Sequence, residues 1–158
     1  MKPITFSCQE TLTVTPSEVA RQILELSRWP EFRGYAFIPG IKEAKFEVQT
    51  PQIVGSRIRV FNTDGSSHVE EIVEWLPDQR LTLRMKDFSP PLSRLATSFE
   101  ETLEFERIDE ATRIIRSFKL HAKSPLARMF LWLISWFLKR AIARHLRQMQ
   151  KAEAELSV

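Results

Sequence analysis

The chain holds one cysteine, one tyrosine, four glycines and three histidines in 158 residues. A lone Cys8 excludes an internal disulfide and any cysteine-based zinc cluster. Four glycines leave no material for a collagen repeat or a glycine-rich phosphate loop. His68, His121 and His145 lie too far apart in sequence for metal-ligand spacing. No metal and no other cofactor is therefore expected. The opening MKPITFSCQE has no apolar signal core. The longest apolar stretch runs from Met129 to Leu138 and is broken by Ser135. It falls well short of the about 20 residues that span a bilayer. These absences predict a cytoplasmic protein, with the membrane surface as an alternative location.

What is present is ordinary for a globular domain: 43% apolar and 27% charged residues, enough for one core over residues 1–158. The charge is uneven. Residues 1–110 hold 13 basic against 18 acidic side chains, and residues 111–158 hold 10 basic against 2 acidic ones. Such asymmetry marks either a solvated helix face or a surface that meets an anionic partner.

Residues 4–14 alternate, with Phe6, Cys8, Leu12 and Val14 on one side, as in a strand with one buried face. Thr15-Pro16-Ser17-Glu18 opens a helix, with Thr15 as cap, Pro16 at the first position and Glu18 completing a capping box. A second short helix covers Arg28 to Phe32. From residue 41 the period becomes two, and strands are expected at 41–49, 55–62, 67–76, 80–86, 98–107 and 112–122. Their breaks carry turn chemistry at Thr50-Pro51, Asp64-Gly65, Pro77-Asp78 and Asp109-Glu110. Ser124-Pro125 then starts a helix that reaches about Leu156. The expected class is α+β: a seven-stranded antiparallel sheet wrapped around a long C-terminal helix, with two short helices after the first strand. A curved sheet covered by one helix encloses a cavity, and such cavities hold ligands.

The element order, the run TPSEVARQILELSRWPEF with Trp29-Pro30-Glu31-Phe32, the Pro39-Gly40-Ile41 strand start, VGSRIRV with Gly55 and WLPDQRL carry a resemblance. Over nearly its whole length the chain resembles the START-like (SRPBCC, helix-grip) superfamily, within it the polyketide cyclase/dehydrase branch. The resemblance implies a helix-grip fold. It also implies a function drawn from lipid carriers, hormone and sterol binders, coenzyme Q-binding proteins and polyketide cyclases. It implies no universal catalytic residue.

Strand alternation assigns the inner face. Pairing about Asp109-Glu110 sets Phe105 with Ile114, Leu103 with Arg116, Glu101 with Phe118 and Phe99 with Leu120. Pairing about Pro77-Asp78 sets Trp75 with Leu81, Val73 with Leu83 and Glu71 with Met85. The expected cavity lining is Phe6, Cys8, Glu10, Ile58, Val60, Glu71, Val73, Leu83, Met85, Phe99, Glu101, Leu103, Arg116 and Phe118 from the sheet. From the last helix it is Ile134, Leu138 and His145. Glu101, Glu71 and Arg116 are the candidate acid/base residues of a cyclase- or dehydratase-like enzyme, because burial would raise a carboxyl and the cation would lower it. The competing reading is a structural ion pair. His68 near a turn and His121 on the outer face are expected to be solvated.

The last helix has two distinct sides. Ala127, Leu131, Ile134, Leu138, Ala141, Ile142, His145, Met149, Ala152 and Leu156 form the side that covers the sheet. Met129, Trp132, Leu133 and Trp136, followed by Arg140, Arg144, Arg147 and Lys151, form the other. This second stripe needs its own cover. The loops around Tyr35, Phe37 and Pro90-Pro91, a second copy of the chain, or an anionic membrane would each serve. Nucleic acid is disfavoured, since no stacking platform accompanies the basic residues. The expected function is binding or transport of a small hydrophobic ligand. The alternatives are the enzyme above and a protein-interaction module using the Trp132/Trp136 face.

Overall fold

In the computed structural model, residues 1–156 are described. The side chains of Ala154 and Leu156 lie outside that description, and with them the expectation that Leu156 extends the inner stripe. The chain runs β1 (Ile4–Leu12), α1 (Pro16–Ile23), a 3-10 helix (Leu26–Glu31), then β2 (Ile41–Val48), β3 (Arg57–Asn62), β4 (Ser67–Leu76) and β5 (Arg80–Lys86). A 3-10 turn (Leu92–Arg94) precedes β6 (Ala96–Ile108), β7 (Ala111–Ala122) and α2 (Pro125–Leu156). All seven strands form one antiparallel sheet in the order β1-β7-β6-β5-β4-β3-β2. This is the α+β helix-grip fold.

Local chemistry sets the boundaries. Thr15 Oγ1 accepts from the Glu18 amide at 3.3 Å and caps α1. Glu18 does not complete a capping box; its carboxylate takes bonds from Arg21 and Gln22 on the same helix. The second helix is a 3-10 helix because Pro30 removes an amide donor within it. Gly34 turns the chain towards β2 with φ +77°, and a Cβ there would drive into the Ile38 carbonyl.

α2 lies along β1, the strand at one edge of the sheet. Arg128 Nε donates to Lys2 O at 3.2 Å, Cys8 Sγ to Lys139 O at 3.4 Å, and Gln150 Nε2 to Glu10 Oε1 and Thr11 O at 3.0 and 3.1 Å. Covering an edge strand with a helix removes a template for unwanted pairing. The inner stripe of α2 buries Ala127, Leu131, Ala141 and Ile142, and also Leu146, against the sheet. Two apolar clusters result. The larger joins Val19, Ile58, Val60, Ile72, Leu81 and Leu103 with the C-terminal half of α2, and the smaller gathers Ile4, Phe99 and Leu120 around Leu131.

The β6–β7 register pairs Leu103 with Arg116, Glu101 with Phe118 and Phe99 with Leu120, as the alternation predicts. The β4–β5 register differs. Trp75 pairs with Leu81, but a bulge follows, and Ile72, not Val73, faces Leu83. One extra residue on a strand reverses every side chain beyond it. Glu70 therefore pairs with Met85 on the inner face, and Glu71 turns to the other side opposite Arg84.

Candidate functional site: an apolar cavity with a buried polar cluster

Between the sheet and α2 lies a cavity of about 340 Å³, within the roughly 300–1,000 Å³ typical of small-molecule sites. Its walls come from the inner face of β4 to β7, from α2, and from the segment joining α1 to β2. Exposed Phe37, Asp64, Pro90 and Pro91 are part of the lining, so the cavity reaches the surface between those three loops.

Ten expected residues line it: Leu83, Met85, Phe99, Glu101, Leu103, Arg116, Phe118, Ile134, Leu138 and His145. Seven do not. Ile58 and Val60 share the inner face but are sealed within the larger core cluster. Phe6 stacks on Phe118, with ring centres 4.9 Å apart, and so lies behind it. Cys8 and Glu10 turn to α2, where Lys139 O and Gln150 take their polar atoms. Burial raises the Cys8 thiol above its ordinary pKa, against the pull of Lys139, Arg116 and Arg147. Val73 occupies the bulge. Glu71 is lost to the site because its carboxylate accepts from Lys86 Nζ at 2.9 Å on the opposite face.

The polar cluster centres on Arg116. Its Nε and Nη2 donate to Glu101 Oε1 at 2.8 and 2.6 Å, and both side chains are nearly enclosed, 12% and 4% exposed. Burial lifts the Glu101 carboxyl above the usual carboxylate range, even against the opposing pull of Arg116, and the charge of Glu70 adds to the rise. Arg116 Nη1 lies 3.1 Å from His145 Nδ1. A guanidinium only donates, so Nδ1 accepts and the ring is neutral with its proton on Nε2. Burial and the positive charges of Arg116 and Arg28 push the His145 pKa down to about 3. The His145 and Phe32 rings meet nearly at right angles, centres 5.6 Å apart.

Glu70 is the residue that alternation missed. It is 5% exposed, lines the cavity, and Oε2 has no hydrogen-bond partner among the described residues. His68 is not solvated; it also lines the cavity, with Nε2 3.8 Å from Glu70 Oε1. The signal that would have found both is a bulge, which leaves no mark in the apolar pattern of EEIVEWL.

Among the described residues nothing covers the outer face of α2. Trp132 is 61% and Trp136 45% exposed, and Met129 and Leu133 stand beside them with Leu126 and Phe130, which periodicity had not singled out. The loop carrying Tyr35 and Phe37 does not cover this stripe. It packs instead on Phe137, at 6.3 and 4.6 Å between ring centres. Arg140 lies over the Trp136 ring at 3.3 Å, and Arg144, Arg147 and Lys151 are exposed further along. Among the described residues no helix is long and apolar enough to cross a membrane.

Solved structures share this architecture at low identity. A protein from Thermus thermophilus aligns over 98% of this chain and 100% of its own, with TM-score 0.72 and 13% identity. A START superfamily protein from Mycobacterium smegmatis covers 92% and 98%, with TM-score 0.64 and 10% identity. Ginseng major latex-like protein 151 from Panax ginseng covers 92% and 98%, with TM-score 0.58 and 16% identity. None of the curated proteins compared with the chain matches it. Residues 3–153, nearly the whole length, match the family described as polyketide cyclase / dehydrase and lipid transport. The sheet, the gripping helix and the cavity described above belong together with that match: the chain is a member of the polyketide cyclase/dehydrase and lipid transport family.

Proposed function

We propose that the protein binds a small apolar ligand in the cavity between sheet and α2 and exchanges it at an anionic membrane surface. One observation carries the first half. An open cavity walled by Leu83, Met85, Phe99, Leu103, Phe118 and Leu138 stands beside two well-packed core clusters, so it is not a product of poor packing overall. Apolar walls with a few convergent polar groups are the composition of a ligand site. Glu101 is fixed by two bonds from Arg116, which suits a positioning pair better than a mobile proton donor. Binding is favoured over cyclase or dehydratase chemistry on that ground.

The second half rests on continuity. Trp136, Phe137 and Phe37 form a run of rings at 4.8 and 4.6 Å, and Phe37 also lines the cavity. The exposed aromatic face therefore adjoins the opening, and the exposed Arg and Lys side chains follow on the same helix. Aromatics beside basic residues are the composition of an interfacial helix, and each basic group near anionic lipid contributes about 1 kcal/mol.

Organic extraction of the natively purified protein, followed by mass spectrometry, tests the first half. A stoichiometric apolar molecule is the expected result. An empty protein that also takes up no apolar probe would overturn it. Flotation with phosphatidylcholine vesicles, with and without about one-third phosphatidylglycerol, tests the second. Binding only to the anionic vesicles is expected, and a protein indifferent to both would refute the membrane reading.

A further inference from the structure

We propose that the ligand's polar end is a hydrogen-bond donor, an alcohol, phenol or amine, received by Glu70, and that the cavity disfavours anionic head groups. This rests on the reading of the cavity as a ligand site and specifies its ligand class. The capacity of the buried polar groups decides it. Arg116 has committed Nε, Nη2 and Nη1 to Glu101 and His145. Arg28, the other cation in the lining, is paired with Glu31 at 3.2 Å. Both guanidiniums are already charge-paired within the protein, so an anionic head group would have to share them with Glu101 or Glu31. The lining as a whole holds two guanidiniums, Arg28 and Arg116, against four carboxyls, Glu31, Asp64, Glu70 and Glu101.

Glu70 supplies the complementary need. A carboxylate is acceptor-only when ionised, and a buried oxygen without a donor is costly to leave so. Oε2 has no donor among the described residues, and His68 Nε2, at 3.8 Å from Oε1, is beyond hydrogen-bond reach. Its β-strand neighbours do not help, because Met85 stands opposite on β5 and Ile58 on β3. A ligand O–H or N–H at this position would satisfy the orphan oxygen. A ligand carboxylate there would set two acceptors and two like charges against each other.

The test compares three probes with one chain length: decan-1-ol, decan-1-amine and decanoate, titrated calorimetrically at pH 7 into wild type, Glu70→Leu and the near-isosteric Glu70→Gln. Circular dichroism checks the fold of each variant. Wild type should bind the alcohol and the amine at least about tenfold more tightly than decanoate. In Glu70→Leu the amine should lose about tenfold and decanoate should gain, so that the ranking collapses. Glu70→Gln, which adds a donor, should shift in the same direction even if the Leu variant does not fold. Saturable binding with decanoate equal or tighter in wild type, or an unchanged ranking in both variants, would overturn the donor proposal alone. Failure of all three probes to bind would overturn the ligand-site reading together with it.

Discussion

Replacing Arg116 by Met removes the cation that holds Glu101. The guanidinium makes two bonds to Glu101 Oε1, at 2.8 and 2.6 Å, and one to His145 Nδ1 at 3.1 Å, in a pocket where both charged side chains are nearly enclosed. Met keeps much of the volume, so the packing change is small. What remains is a buried carboxyl without its partner, and breaking such a pair typically costs about 3–5 kcal/mol. For a domain whose whole stability is about 5–15 kcal/mol, that is a large fraction. The sign of the pH dependence follows from Glu101. Its folded-state pKa already lies above the ordinary value, so the native state binds more protons than the unfolded one and gains stability as pH falls. Losing Arg116 widens that difference. Urea unfolding followed by circular dichroism at pH 7 and pH 5 should show a loss of about 3–5 kcal/mol at pH 7 that shrinks at pH 5. The Glu101→Met/Arg116→Met double variant should recover most of the loss, because apolar replacement of a whole buried pair is near neutral. A single variant that loses less than about 1 kcal/mol, as an exposed pair would, or a double variant no better than the single, would refute the reasoning.

Three further outcomes are expected. His145, with a native pKa of about 3 against an ordinary 6.5, stays neutral when folded and protonates when unfolded, so it withdraws stability as pH falls below 6.5. Arg116 and Arg28 are the charges that face it, and Asn in its place keeps an acceptor for Arg116 without titrating. Wild type should therefore lose about 2 kcal/mol more than His145→Asn between pH 7 and pH 5 in chemical unfolding; equal losses would contradict this. Trp132→Ser/Trp136→Ser should abolish flotation with anionic vesicles while circular dichroism stays native, because both side chains lie outside the core; undiminished flotation would contradict the docking face. Gly34→Ala should cost roughly 1–3 kcal/mol, since Ala is strained at φ +77° and its Cβ meets the Ile38 carbonyl; a thermal midpoint indistinguishable from that of wild type would contradict it.

The fold was legible because its determinants are local and repetitive. Period-two alternation marks the strands, turn chemistry at Asp64-Gly65, Pro77-Asp78 and Asp109-Glu110 fixes the hairpins, and two opposite stripes mark α2. The last hairpin was legible to the residue, so Glu101 and Arg116 were placed on one face. The site was not legible where one residue of register decided it. A bulge at Val73 leaves the sequence equally apolar on either side, yet it exchanges Glu71 for Glu70 and draws His68 inward. Phe6 and Cys8 sit on the correct face but behind Phe118 or against α2, because alternation gives the side of a sheet and not the depth. The fate of the Trp132/Trp136 stripe was equally hidden, since the loop carrying Phe37 packs on Phe137, one residue further along the helix.

Filling the cavity tests the central claim most directly. Leu138 on α2 lines the cavity and is only half-buried, and Trp at this position projects into the space. Titration of the neutral fluorophore N-phenyl-1-naphthylamine into wild type should give saturable binding near one per chain, and Leu138→Trp should abolish it while circular dichroism stays native. A wild-type protein that binds no probe, or a filled variant that binds as tightly as wild type, would contradict a ligand site between sheet and helix.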